Sequence, residues 1–235
     1  HLFYRDLASV MSEVELKGDD RIEWSAIHAS FEALLDKYSA LNTSDQSVKA
    51  FLRYFKVRRR PQQVADLAAR LQQSPHQTVR QAAAEFMQAE AETATALAIG
   101  ATPQMKFTAV DGREVDLEKL RGKVVLIDFW AMWCTPCVKE LPNVKAMYRK
   151  YRDQGFEVVG ISGDSGSRQR LLAFLEKGGY DWPQHFDGKG QQTHYAKLWD
   201  VTAWPTTLLL DKRGAIAAKD VKGAALEPAI RKLLG

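Results

Sequence analysis

The stretch "KVVLIDFWAMWCTPCVKELPN", Lys123–Asn143, holds both cysteines of the 235-residue chain, Cys134 and Cys137, with two residues between them. It opens as a near-continuous apolar run, the pattern of a strand buried on both faces, and passes into a helix expected to start at the cysteines and reach about residue 154. A cysteine at that junction meets unpaired backbone N–H groups and the positive end of the helix dipole, which favour thiolate over thiol. Cys134 is therefore the candidate attacking sulfur. Two intervening residues bring the second sulfur within bonding range in the first helical turn, so Cys137 can attack a mixed disulfide and release a reduced partner. The pair reads as a two-electron switch.

Other uses of the pair fit less well. Half of a zinc site would want a second pair, or histidines at ligand spacing, which His1, His28, His76, His185 and His194 do not offer. A purely structural disulfide would close so small a ring that it constrains little unfolded-chain entropy. The expectation is no metal and no cofactor beyond a redox-active disulfide, Cys134 to Cys137. A third thiol would offer wrong pairings in an oxidising compartment.

Working outward, "FEVVGIS" (156–162) is another buried strand and a helix follows near 167–178. "TTLLLD" and "AIAAKD" form a hairpin across "KRG", and a closing helix spans 225–234. Upstream, short alternating segments flank the turn Asp111-Gly112, and Gly100 and Pro103 punctuate the chain. A boundary is placed there, dividing 1–98 from 99–235. Residues 99–235 read as an α/β sheet with helices on both faces.

Residues 1–98 read as an all-helical domain, with helices expected near 4–16, 21–41, 44–58, 61–73 and 75–97. Capping patterns mark three starts: Asp20 with Glu23, Thr43 with Gln46, and Ser74-Pro75 with Gln77. Phe31, Leu34, Leu35 and Tyr38 form an apolar stripe, and Phe51, Leu52, Tyr54 and Phe55 a second, both read as core. Helix lengths are too uneven for a fixed repeat. No catalytic cluster stands out here, so this half is expected to dock a partner or dimerise.

The bulk numbers exclude several classes. The composition is 46% hydrophobic and 26% charged, and no apolar run approaches the roughly 18 residues of a membrane span. The net charge of +4 is modest, and the one dense basic run, Lys56 with Arg58, Arg59 and Arg60, reads as a solvated helix end. No nucleic-acid partner is expected. A start at His1 fits either a trimmed chain or a mature form after signal removal, so it does not argue for a cytosolic home.

The segment "LIDFWAMWCTPCVKELPN", with "GKVVLIDFWA" leading into it and "VTAWPTTLLLDKRGAI" about seventy residues on, resembles the thioredoxin superfamily and most of all the TlpA/ResA-like thiol:disulfide oxidoreductases. The resemblance covers roughly 99–235. It implies a thioredoxin-like α/β fold, a central mixed sheet flanked by helices; the all-α domain before it lies outside the resemblance. It also implies residue roles: Asp128 as the buried acid that accepts the resolving thiol's proton, its pKa raised by desolvation, and Glu140 as a carboxylate beside the cysteines that influences their acidity. Pro142 matches a helix-kinking proline. Pro205 matches the cis-proline that faces the cysteines, where the residue before it pairs with a bound peptide.

One departure is Trp204, where relatives more often carry a smaller residue. With Trp133, Thr135, Pro136 and Pro205 it is expected to line the substrate groove, Trp133 exposed and Trp130 packed in the core. The resemblance further implies a disulfide reductase outside the cytoplasm, with membrane anchoring through a removed N-terminal segment as one form of it. It would be fed by a membrane thiol donor and act on protein disulfides, apocytochrome c among them. Two alternatives compete. A thiol peroxidase would want a threonine three residues before its reactive cysteine, a place that Cys134 holds relative to Cys137. A copper-handling or docking protein would prefer three residues between its cysteines and a positioned histidine.

Overall fold

The computed structural model describes residues 29–30, 33–34, 37, 48–53 and 61–235. The expected helix over 4–16, and most of that over 21–41, lie outside the described residues, as do Phe31, Leu35, Tyr38, Tyr54, Phe55 and the basic run 56–60. The described residues belong to two compact units, one up to Ala91 and one spanning Glu92–Gly235.

In the first unit, residues 48–53 are helical, followed by α1 (Pro61–Leu71) and most of α2 (Gln77–Ala96), whose last turn belongs to the second unit. Leu34, Phe51, Leu52, Leu67, Leu71, Val79 and Phe86 are buried in one apolar cluster, each large side chain contributing about 1.5–3 kcal/mol by leaving water. Helix α2 starts two residues later than the Ser74-Pro75 pattern predicts. Ser74 Oγ accepts the N–H of His76, and the carbonyl of His76 takes the first helical bond, from Arg80 N–H at 3.1 Å.

The second unit is built on a five-stranded sheet of order β5-β4-β3-β6-β7: β3 (Val124–Trp130), β4 (Phe156–Ser162), β5 (Gln184–His185), β6 (Thr206–Leu210) and β7 (Ile216–Lys219). Strands β3, β4 and β5 run parallel, whereas β6 and β7 pair antiparallel, so the sheet is mixed. A separate hairpin joins β1 (Lys106–Thr108) to β2 (Glu114–Asp116). The helices are α3 (Thr135–Tyr151), α4 (Arg168–Gly178), α5 (His194–Leu198) and α6 (Leu226–Leu234). This is the thioredoxin-like arrangement expected from the sequence. Strand β5, with two residues, and α5, with five, are too short to leave a periodic signal.

Strand β3 is buried along all seven residues, and successive side chains alternate between two cores. Val125, Ile127 and Phe129 enter a cluster with the β1–β2 hairpin and α5, including Val115, Tyr195 and Trp199. Val124, Leu126 and Trp130 enter the other, with Leu141 and Val144 of α3, Leu171 of α4 and Ile230 of α6. Both cysteines belong to that second cluster. Helix α3 runs unbroken through Pro142 and ends in a 3-10 turn, Arg152–Gln154, closed by Gly155 in the left-handed region at φ 93°.

Candidate redox site

Strand β3 ends at Trp130, and a loop of four residues leads to α3, whose N-cap is Cys134. Cys134 Sγ is bonded to Cys137 Sγ. It also accepts the backbone N–H of Cys137 at 3.3 Å, one of the donors that a helix start leaves without an internal partner. On reduction the same donor is placed to support a Cys134 thiolate. Cys134 and Cys137 are only 4% and 2% exposed, while Trp133 (49%), Thr135 and Pro136 form the open rim.

Asp128 sits in the middle of β3, two residues from Leu126 and Trp130, so the alternation sends it to the face that carries the cysteines. Its cross-strand neighbours are Gly160 and Thr207. Burial pushes its carboxyl up to about 7, the charge of Glu140 adds to that, and Lys222 opposes it. A carboxyl with that value can take or give a proton near neutral pH.

Glu140 Oε1 accepts from Gly223 N–H at 2.8 Å and from Asn143 Nδ2 at 2.7 Å. The charge of Glu140 raises the Asp128 carboxyl. Lys222 donates to the Pro205 carbonyl at 2.7 Å, tying the segment after β7 to the start of β6. Lys222 carried no signal in the sequence beyond being one lysine among many; only its placement beside Pro205 and Asp128 marks it.

The Trp204–Pro205 peptide bond is cis. Trp204 meets Trp133 edge-on at 5.9 Å and Phe129 at 6.2 Å, so this segment reaches the cysteine loop through paired indoles. Its ring also lies on Gly163, where an added Cβ would stand 2.4 Å from Trp204 Cη2. Trp130 is fully buried, stacks on Phe174 at 5.6 Å and donates its indole N–H to Gln184 Oε1 at 2.9 Å. Pro142 is exposed on α3.

Asp164 was not singled out in the sequence. Its carboxylate, in the turn after β4, accepts the N–H of Met132 at 3.0 and 3.1 Å and the hydroxyl of Ser162 at 2.9 Å. Burial pushes its carboxyl above the ordinary range, against the pull of those two bonds and of Arg170. Parallel strands β3 and β4 end in register, Trp130 opposite Ser162, so the loops after "DFW" and "GIS" share one sheet edge. Among the described residues, no group of three or more His, Cys, Asp or Glu side chains is placed to hold a metal ion.

A cysteine pair capping the helix after a buried central strand, in a mixed five-stranded sheet, defines a thioredoxin-like disulfide-exchange protein. Residues 100–219 match the AhpC/TSA family. The ResA thiol-disulfide oxidoreductase of Geobacillus thermodenitrificans is 33% identical over 123 residues, 52% of this chain and 68% of that protein. That of Bacillus subtilis is 30% identical over 128 residues, 54% and 69% of the two chains. Among solved structures, the thioredoxin domain of a thiol-disulfide oxidoreductase from Bacteroides vulgatus superposes with a TM-score of 0.53 at 28% identity, covering 59% of this chain and 99% of that one. The chain belongs to the AhpC/TSA family, as a ResA-like thiol-disulfide oxidoreductase. The similarity lies in its C-terminal part.

Proposed function

We propose that the protein reduces disulfides of other proteins outside the cytoplasm, with Cys134 as the attacking thiol, Cys137 as the resolving thiol and Asp128 as the base that serves Cys137. The observation that carries this reading is the disulfide at the N-terminus of α3 on the same sheet face as a buried carboxyl held near 7. Cys134 thiolate attacks a substrate disulfide, forming a mixed disulfide and expelling one substrate thiolate. Cys137, losing its proton to Asp128, then attacks Cys134 Sγ; the substrate leaves fully reduced and Cys134–Cys137 is oxidised. A thiol donor, on this reading a membrane protein, returns two electrons to the pair. Glu140 tunes Asp128 through its charge.

Trp133, Thr135, Pro136, Trp204 and Pro205 line the approach, and the paired indoles give it an apolar rim suited to a polypeptide. Kinship with the ResA proteins favours the reductase direction and an extracytoplasmic home, with apocytochrome c as one substrate of the right kind. Residues 1–98 are assigned to docking or dimerisation; a chain lacking them that kept full activity on its physiological partner would refute this.

The deciding measurement is the reduction potential of the Cys134/Cys137 couple in a dithiothreitol series, with Cys137→Ser trapping the substrate. About −250 mV or below supports a reductase, and a value near about −120 mV makes the protein an oxidant instead.

A further inference from the structure

The turn Ser162–Asp164 and the cysteine loop are joined by three sets of hydrogen bonds. Met132 N–H binds the Asp164 carboxylate at 3.0 and 3.1 Å, Trp133 Nε1–H binds the Gly163 carbonyl at 2.9 Å, and Gly163 N–H binds the Trp130 carbonyl at 2.8 Å. Asp164 is 4% exposed, and its described hydrogen bonds come from neutral donors. Ser162 Oγ donates to it and accepts the Asp164 N–H at 3.2 Å, so the turn is closed on itself. Burying a carboxylate on neutral donors is costly unless its strength as an acceptor is used.

We propose that Asp164 is a positioning residue for the redox centre: by anchoring Met132 N–H it sets the short step to Cys134 and so aims the Cys134 sulfur at the N–H of Cys137. The reading rests on Cys134 being the attacking thiol. Residues 131–134 bridge a strand and a helix, and the donor at their far end, Cys137 N–H, stands 3.3 Å from the sulfur, where a small drift already weakens the bond. Loosening the anchor therefore removes support from the thiolate.

The test is the pH dependence of iodoacetamide alkylation of the reduced full-length protein, with the modified cysteine located by peptide mass. Asp164→Asn keeps an oxygen for Met132 N–H and an amide donor for Ser162, but no charge. Asp164→Ala keeps neither. Positioning predicts roughly tenfold less Cys134 thiolate on the acid side of its titration in Asp164→Ala, with Asp164→Asn restored to within about twofold of the wild type.

A purely electrostatic role predicts the opposite sign, since losing a nearby negative charge increases the thiolate in both variants alike. The other charged groups, Arg170 of α4, which acts on Asp164, and Asp128 on β3 with the Glu140 and Lys222 charges that act on it, are unchanged in both. An alanine variant with native near-ultraviolet dichroism and unchanged or increased thiolate overturns the proposal. Amide exchange of Met132 in the wild type needs no variant: slow exchange is expected, and exchange as fast as an open loop overturns the anchor. Alkylation mapping to Cys137 in the wild type would instead overturn the assignment of the attacking thiol, a failure recognisable before any variant is made.

Discussion

Strand β3 faces two cores of different character. Toward the β1–β2 hairpin and α5 it presents Val125, Ile127 and Phe129, an apolar set. Toward α3 and α6 it presents Leu126, Asp128 and Trp130, with both cysteines packed in the same cluster. Both faces are buried, so what separates them is the charge admitted to one. The site face gives up part of the stability of an apolar core to hold a carboxyl near 7 beside a disulfide, and the opposite face holds the strand in place.

The largest expected effect comes from the sulfur that begins the chemistry. Cys134→Ser should lower reduction of a model protein disulfide by at least roughly 10⁴-fold, as loss of a nucleophile does elsewhere. Cys137→Ser should leave a mixed disulfide visible on a non-reducing gel. Persistent turnover in Cys134→Ser would erase the distinction between the two faces.

Next is Asp128→Asn, whose effect depends on pH. The carboxyl is raised from 3.8 to about 7, so the folded state binds the extra proton across that window and stability falls as pH rises through it. Below about pH 4 variant and wild type should be equally stable; above about pH 7 the variant should be more stable by about 4 kcal/mol, with slower resolution of the mixed disulfide. Urea unfolding of the oxidised proteins at several pH values checks this. A constant difference would show that Asp128 does not titrate there.

On the opposite face, Ile127→Val should cost about 1 kcal/mol of stability at every pH, with exchange rate and reduction potential unchanged. A shifted potential would mean that the two cores are coupled through the strand. The smallest effects belong to the charges around Asp128: Glu140→Gln should lower its titration and Lys222→Met should raise it, read from the Asp128 carboxyl carbon by NMR. Shifts of the same sign would refute the electrostatic account.

How much of this was legible depends on how locally each feature is encoded. Strands β3 and β4, helices α3, α4 and α6, and the β6–β7 hairpin carry long apolar runs, caps or turn residues within a few positions, and each was readable. Asp128 was legible as a charge inside an apolar run, and the Cys-x-x-Cys pair by its spacing. Glu140 was singled out by the resemblance to ResA-like proteins, yet its partner Gly223 lies 83 residues away and gave no local hint. Asp164 and Lys222 were missed for the same reason, because each becomes meaningful only when a distant loop arrives beside it.

Sequence alone determined the redox pair, the strand and helix that present it, and the side of the strand on which Asp128 falls, because periods of 2 and 3.6 and the N-terminal dipole are local properties of the chain. Tertiary structure decided the titration of Asp128, the tie from Lys222 to Pro205, the indole pair at the rim and the anchor from Asp164 to Met132. Those depend on desolvation and on contacts across the sheet edge, and they exist only once the parallel strands have set their loops side by side.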